Sequence, residues 1–289
     1  MGSRSRTLSG ELPSWLSKLL IVGTITAVAL AELRRPLRVP RQSKLNRDRR
    51  NLVVALLAAG TVALAERPVV GPLARRVQRH NLGLLKLVRL PVTLEVLLAV
   101  LLLDYTLYIW HYLTHKVPFL WRFHLAHHVD LDLDASTALR FHPGELLLSV
   151  PWRAAQVRLL GIAPFSLALW QTLTLLEILF HHSNLRLPLG LERRLCRIIV
   201  TPRMHGIHHS IVRRETESNW STILSWPDYL HGTLRLNVPQ QAVTIGVASY
   251  QNAAELTLGK ILLLPFQKMR STRAPLRGPL AIPRNTLAG

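Results

Sequence analysis

A single cysteine, Cys196, stands in the 289 residues of the chain. That excludes a disulfide framework, thiolate-bound zinc and an iron–sulfur cluster carried by the chain itself. Acidic residues are scarce as well: 16 Asp and Glu face 36 Lys and Arg, for a net charge of +20. Such an excess suits a nucleic-acid binder or a protein that rests on an anionic membrane. No G-x-G-x-x-G run is present, so the chain lacks a dinucleotide-binding fingerprint. No internal repeat is visible either.

What is abundant is apolar sequence. Hydrophobic residues make up 49% of the chain, and they come in blocks at 15–31, 52–65, 90–110, 144–157 and 162–180. A helix needs roughly 20 mostly apolar residues to cross a bilayer. A nucleic-acid binder would interleave basic and aromatic residues on a polar surface, so the charge belongs to a membrane protein with no nucleic-acid partner. The first block runs through Ala31-Glu32-Leu33 into Arg34-Arg35, which reads as a span stopped by charge rather than a cleaved leader. The segment Arg34 to Arg50 carries Arg34, Arg35, Arg38, Arg41, Lys44, Arg47, Arg49 and Arg50. By the positive-inside rule it is expected to be cytoplasmic. Block two then leads outward and block three returns. Because Arg67 to Arg89 is also basic, a second reading has block two dip into the membrane and come back. Blocks four and five are short and joined by Arg153 to Gly161, so they read as a helical hairpin that starts and ends on one side. The expected fold is all-α: an integral, multi-pass bundle of four to five membrane helices or hairpins, with a helical cytosolic cap. Residues 1–89 are expected to hold membrane segments and basic loops. Residues 237–289 read as a C-terminal extension, partly disordered from Arg270 onward.

The remaining segment, 90–236, holds the chemistry. Of 13 histidines, all but His80 fall between His111 and His231. His111 and His115 are spaced i, i+4, on one face of a helix. His124, His127 and His128 follow as H-x-x-H-H, and His205, His208 and His209 repeat that spacing. His181 and His182 end the fifth apolar block. A lone H-x-x-x-H is commonly coincidence, and a histidine pair at a membrane boundary is commonly an anchor. Together, so many adjacent imidazoles would be costly to bury without a ligand, and neutral imidazole is the usual protein ligand of zinc, copper and iron. One zinc takes about three or four protein ligands. Nine or ten histidines exceed that and suit two ions with open positions, and iron, unlike redox-silent zinc, can activate dioxygen. A zinc-dependent membrane hydrolase and a non-enzymatic metal or haem-binding membrane protein are the rival readings.

Asp104, Tyr108, His111 and His115, followed by His124-Leu-Ala-His127-His128, resemble the first two histidine boxes of the fatty acid hydroxylase/sterol desaturase superfamily. Thr201-Pro-Arg-Met-His205-Gly-Ile-His208-His209 is similar to its last box, and Asn219 to Thr233 to the segment that follows it. Phe180-His181-His182-Ser183-Asn184 resembles the family's isolated histidine-plus-Asn element, and Arg140-Phe-His142-Pro143 a further signature. The resemblance covers about residues 95–236 and implies a histidine-box hydroxylase/desaturase domain over 90–236. It further implies a di-iron centre, O2 as co-substrate, and electrons from NAD(P)H through a separate carrier. The implied activity is hydroxylation or desaturation of a sterol-like, fatty acyl or other membrane lipid. Carried over by position, the ligands are His111, His115, His124, His127, His128, His182, His205, His208 and His209, with His181 a tenth candidate less favoured than His182. Asp104, His142, Glu177, Asn184, Asn219 and Asp228 are candidates for supporting positions. Glu177, one turn before His181, stands where some relatives carry another histidine and could supply a carboxylate ligand. His231 departs from the family's usual aromatic residue and reads as structural. His142-Pro-Gly-Glu is similar to the haem motif of cytochrome b5, without the second haem histidine a fused carrier would need. Asp130, Asp132 and Asp134, alternating after the second box, read as a solvated polar loop.

Overall fold

The computed structural model describes residues 13–270 and 283–289 of the chain. Among the described residues the secondary structure is helical, with isolated bridges and no strands. Helix α1 (Ser14–Arg34) is apolar along its length and stops where Arg34 and Arg35 begin the basic segment. Helix α2 (Lys44–Thr61) runs through a π-helical turn at Val62–Glu66 into α3 (Arg67–His80). Pro68 lies just past that turn. Lacking an amide hydrogen, proline leaves a carbonyl one turn earlier without its donor, and a widened turn absorbs the mismatch. The basic stretch after Glu66 is therefore helical as far as His80, not a connecting loop, and block two does not turn back on itself. Asn81, in the left-handed region at φ 50°, ends α3. Helix α4 (Val92–Lys116) follows.

Among the described residues, three helices are long and apolar enough to cross a membrane by length and composition: Ser14–Arg34, Lys44–Lys86 and Val92–Lys116. Blocks four and five become α6 (Pro143–Leu160) and α7 (Pro164–His181), which fall outside that set. They are joined through Gly161, itself left-handed at φ 83°. A Cβ on Gly83 would meet the Gly161 backbone nitrogen at 2.4 Å, so only glycine lets the α3–α4 connection and the α6–α7 turn touch. Ala74, Val77, Ala99, Leu103, Val157, Ile162 and Trp170 pack between α3, α4, α6 and α7 as the main core. With that end fixed, the last turn of α4, the first of α6 and the last of α7 all reach the same opposite end.

The cap at that end contains α5 (Pro118–His128), α8 (Leu189–Leu195), α9 (Pro202–His208), α10 (Arg213–Thr216), α11 (Trp226–Leu230) and α12 (Leu258–Leu263). The stretch after residue 237, read from sequence as an extension, packs onto α5. Val247, Tyr250, Leu256, Ile261 and Leu264 cluster with Leu125 and Val129, and Arg122 donates to the carbonyls of Pro265 and Gln267 at 2.7 Å. Residues 271–282, where a disordered tail is expected, lie outside the described residues. Beyond them the chain returns to the cap: Leu236 donates to the Arg284 carbonyl and Ala288 to that of Leu236.

One expectation is overturned. Asp130, Asp132 and Asp134 are buried rather than solvated. Asp130 receives Arg47, Arg50, Arg140, Gln42, Asn51 and Thr137, and Asp132 caps the backbone amides of Arg41 and Gln42. Arg47 and Lys44 close on Asp134. The basic α1–α2 segment thus folds onto the acidic one. The physical reason is mutual neutralisation, since neither charge set could be buried alone.

Candidate metal centre

Two histidine groups form at the junction of core and cap. His111, His115, His124, His128 and His208 bring one ring nitrogen each to within 4.8 Å of one another, and so do His127, His182, His205 and His209. His111 and His115 come from the last turns of α4. Helix α5 supplies the first triplet, the end of α7 supplies His182, and α9 with the residue after it supplies the second triplet. The H-x-x-H-H spacing decides the partition. In α5 the i, i+4 pair His124 and His128 joins the first group, and the i+3 residue His127 crosses to the second. In α9 the i, i+4 pair His205 and His209 joins the second group while His208 crosses to the first. Each triplet therefore straddles both groups and ties them together. His128 stacks on His209 with ring centroids 4.3 Å apart.

Four rings are held from behind. His111 Nδ1 lies 2.8 Å from the Trp220 carbonyl, His208 Nδ1 2.8 Å from that of Ser218, and His182 Nδ1 2.8 Å from that of Ile178. A carbonyl only accepts, so each Nδ1 carries the proton and each Nε2 is left with a lone pair. His124 Nδ1 lies 2.9 Å from a Glu145 carboxylate oxygen, and the same logic applies. His182 Nε2 then sits 3.1 Å from His127 Nε2 and 3.0 Å from His205 Nε2. His115 Nε2 and His208 Nε2 are buried with no hydrogen-bond partner. Lone pairs converging in this way repel each other unless a cation lies between them, so the donor set fits a metal. Burial, reinforced by neighbouring imidazoles, holds His127, His128, His205 and His209 well below the usual imidazole range; burial outweighs the Ser218 carbonyl at His208 and lowers it to about 3. The rings are neutral at pH 7, as metal ligation requires.

His181 is buried but belongs to neither group; its ring lies tilted against that of His205, with centroids 4.1 Å apart. Asp104 accepts from the backbone amides of Ile223 and Leu224. Asp228 accepts from those of Trp220 and Ser221 and from the Thr233 hydroxyl. Asn219, at φ 56°, bridges the Met204 and Arg235 carbonyls with its amide and receives the Arg235 amide. These three fix the 218–224 strip whose carbonyls orient His111 and His208, and none touches an imidazole. Asn184 is committed to both backbone groups of Arg38. His142 caps α6 through the Gly144 amide and reaches the Leu262 carbonyl. Glu177 is in neither group, and one of its carboxylate oxygens has no partner. His231 stacks on Tyr108 and meets the Tyr105 hydroxyl.

Sequence reasoning missed Glu145, the orienter of His124. Its signal was present as the third residue of a helix beginning at Pro143, but a carboxylate there reads first as helix capping. The pairing of Arg47 and Arg140 with Asp130 was missed, because Arg47 lies 83 residues away and Arg140 reads as part of a histidine-bearing signature.

The fatty acid hydroxylase family profile matches residues 96–233. An ornithine lipid hydroxylase, OlsE, of Rhizobium tropici is 34% identical over 159 residues, 54% of this chain and 46% of that protein. Human cholesterol 25-hydroxylase is 27% identical over 144 residues, 49% of this chain and 51% of the relative. Human alkylglycerol monooxygenase is 30% identical over 135 residues, 47% of this chain and 29% of the relative. The chain thus spans about half the length, or less, of these relatives. No solved structure matches it. The matched region, just under half of the chain, contains every histidine of both groups, and it is there that the chain is similar to the fatty acid hydroxylase family.

Proposed function

We propose that the chain is a membrane oxygenase that hydroxylates or desaturates an unactivated C–H bond of a lipid, using O2 and two external electrons. The observation that carries this reading is the division of nine imidazoles into adjacent groups of five and four. One mononuclear site would leave about half of them without a role. Iron bound by the two groups would supply the activation of O2 and the oxidation of the C–H bond. The chain's own residues do the rest. The carbonyls of Trp220, Ser218 and Ile178 fix ring tautomers, Glu145 fixes His124, and burial of the four-histidine group keeps bulk water out. Hydroxylation balances as one C–H, O2, two electrons and two protons giving C–OH and water. The apolar flanks of α4, α6 and α7 let a lipid enter sideways. With neither a dinucleotide fingerprint nor cluster cysteines, the chain receives electrons from NAD(P)H through a separate carrier. The cap faces the cytoplasm, by the basic α1–α2 segment, and the chain crosses the bilayer more than once.

Metal analysis of the purified protein should return two iron ions per chain. Lipid extracts of cells with and without it should differ by one oxygen or two hydrogens in one lipid class, and only in the presence of O2. Zinc alone with O2-independent turnover would overturn the reading. A narrower prediction concerns Glu145. Its replacement by Ala should weaken iron retention about 10–100-fold, the usual loss when a ligand's outer partner is removed, while Gln, which still accepts from Nδ1, should retain most of it.

A further inference from the structure

A cleft of about 610 Å3 opens on the cap between α5, α10 and residues 246–248. Its volume lies within the range of small-molecule sites. Three features distinguish it. His115 is part of its wall, and with His111 it is one of the two partly exposed histidines of the five-membered group, whereas the four-membered group is wholly buried. Its apolar wall includes Trp121, whose ring lies 5.0 Å from that of His115, with Val247, Ala248 and Met269. Its charged wall holds Lys116, Arg122 and Arg213 against Glu217 alone. Glu217 is shared, 3.2 Å from Lys116 and 3.0 Å from Arg213, so three cations facing one carboxylate leave a surplus of two positive charges.

The mouth adjoins the end of the apolar helix α4. Val117 and Phe119 follow directly, and Phe119 is 56% exposed. Phe266, 70% exposed, is linked to it through Phe123, with centroid separations of 5.5 and 6.0 Å. Exposed aromatics next to basic residues at the end of a membrane-length helix are what the headgroup layer favours. A lipid at that level meets the cleft without leaving the interface.

We infer that this cleft seats an amphiphile carrying an anionic group, held by Lys116 and Arg213 with the charge of Arg122 beside them, its guanidinium being anchored on the Pro265 and Gln267 carbonyls, and with its apolar part directed along Trp121 toward His115. The five-histidine group is then the one presented to the substrate. The inference rests on the proposed oxygenase for the chemistry at His115, but binding is measurable without turnover. Equilibrium binding of oleate, oleoyl lysophosphatidate and uncharged monooleoylglycerol to the iron-loaded protein in neutral detergent tests it, and the first two separate a carboxylate from a phosphate. The wild type should favour at least one anionic probe over the neutral one by at least ~10-fold, the value of one charge-assisted contact. Lys116→Gln with Arg213→Gln should remove that preference and spare the neutral probe. Ala248→Trp, which fills the cleft, should abolish binding of all three while metal content and melting temperature are retained. Wild-type-like binding by folded Ala248→Trp overturns the inference, as does a preference that survives the double substitution. If Ala248→Trp slows reduction by an electron carrier and leaves probe binding intact, the cleft belongs to the carrier and the inference fails. Probe binding lost in Ala248→Trp, in a wild type that oxidises no lipid, supports the cleft and removes the oxygenase reading instead.

Discussion

Replacing His208 by alanine is expected to strip metal from the five-histidine group and reduce turnover below about one-hundredth of the parent's. The scale follows from a bound: losing even an outer partner of a ligand costs about 10–100-fold, so losing a ligand costs more. His208 is well placed for so large an effect. Its ring lies 4.6 Å from that of His111, 4.7 Å from His115 and 4.9 Å from His128, and its unpartnered Nε2 is among the nitrogens that converge there. Removing it also strands the Ser218 carbonyl, which then has no ring to accept from. His127→Ala should do the same to the other group, where His127 Nε2 meets His182 Nε2 at 3.1 Å. The two variants should each retain about one metal per chain. His181→Ala supplies the contrast. Its ring packs against those of His205 and His182 and meets the Thr222 backbone, outside both groups, so metal content should stay at two while activity falls modestly through the loosened neighbours. Full activity in His208→Ala or His127→Ala would sink the assignment of the centre. Metal loss in His181→Ala equal to that in His208→Ala would make His181 a ligand.

Much of this was legible in the sequence because helical periodicity turns spacing into geometry. An i, i+4 histidine pair must share a helix face, and a neighbour at i+3 must sit beside it. What spacing could not state is which group each ring joins. That depends on the angle between α5 and α9, and the crossing of His127 and His208 between groups arises only when the two helices face each other. The orienting atoms were less legible still. Three of the four are backbone carbonyls, of Trp220, Ser218 and Ile178, and a carbonyl has no residue identity to read. Asp104, Asn219 and Asp228 were visible as polar residues within family motifs. Their actual work, fixing the strip that carries two of those carbonyls, requires long-range contacts such as Asp104 to Leu224.

The apolar blocks predicted helices well and their joints less well. Arg67 to Arg89 reads as a basic segment between blocks two and three, yet a π-helical turn carries the helix on as far as His80. The basic run from Arg34 to Arg50 was read as a topogenic signal addressed to the membrane. Part of it is addressed to the chain's own Asp130 and Asp134, and composition cannot separate a charge kept for lipid from one used internally.

Asp130→Asn is expected to destabilise the cap by about 3–5 kcal/mol, the usual cost of removing one partner from a buried ion pair. The carboxylate of Asp130 meets Arg140 at 3.1 Å, Arg47 at 3.3 Å and Arg50 at 3.4 Å, and Asp130, Arg47 and Arg140 are all nearly inaccessible to solvent. An asparagine takes from the buried Arg140 guanidinium its carboxylate partner and leaves Arg47 to Asp134 and Asp48. In a membrane protein of this size the loss should lower the melting temperature in detergent on the order of 10 °C. The pH dependence has a definite sign. Burial alone would raise the Asp130 pKa, but Arg140, Arg47, Arg50 and the Asn51 amide together outweigh it and hold the carboxyl well below the usual range. Its stabilisation is therefore complete above the unfolded value of about 3.9 and is lost as pH falls below that toward the folded pKa. The parent should lose stability in acid through this group, and Asp130→Asn should lack that part of the slope. A melting temperature within about 2 °C of the parent's would mean that the arginines are solvated rather than paired, since an unpaired guanidinium can stay in the interior only if water reaches it. The double variant Asp130→Asn/Arg140→Gln separates the pair from its setting, because residues in contact give non-additive losses. Its destabilisation should be smaller than the sum of the two single changes. Because His128 stands two residues before Asp130, iron retention should fall with the melting temperature in the single variant. In the double one it should again follow the melting temperature, which would tie the salt-bridge network to the geometry of the metal groups.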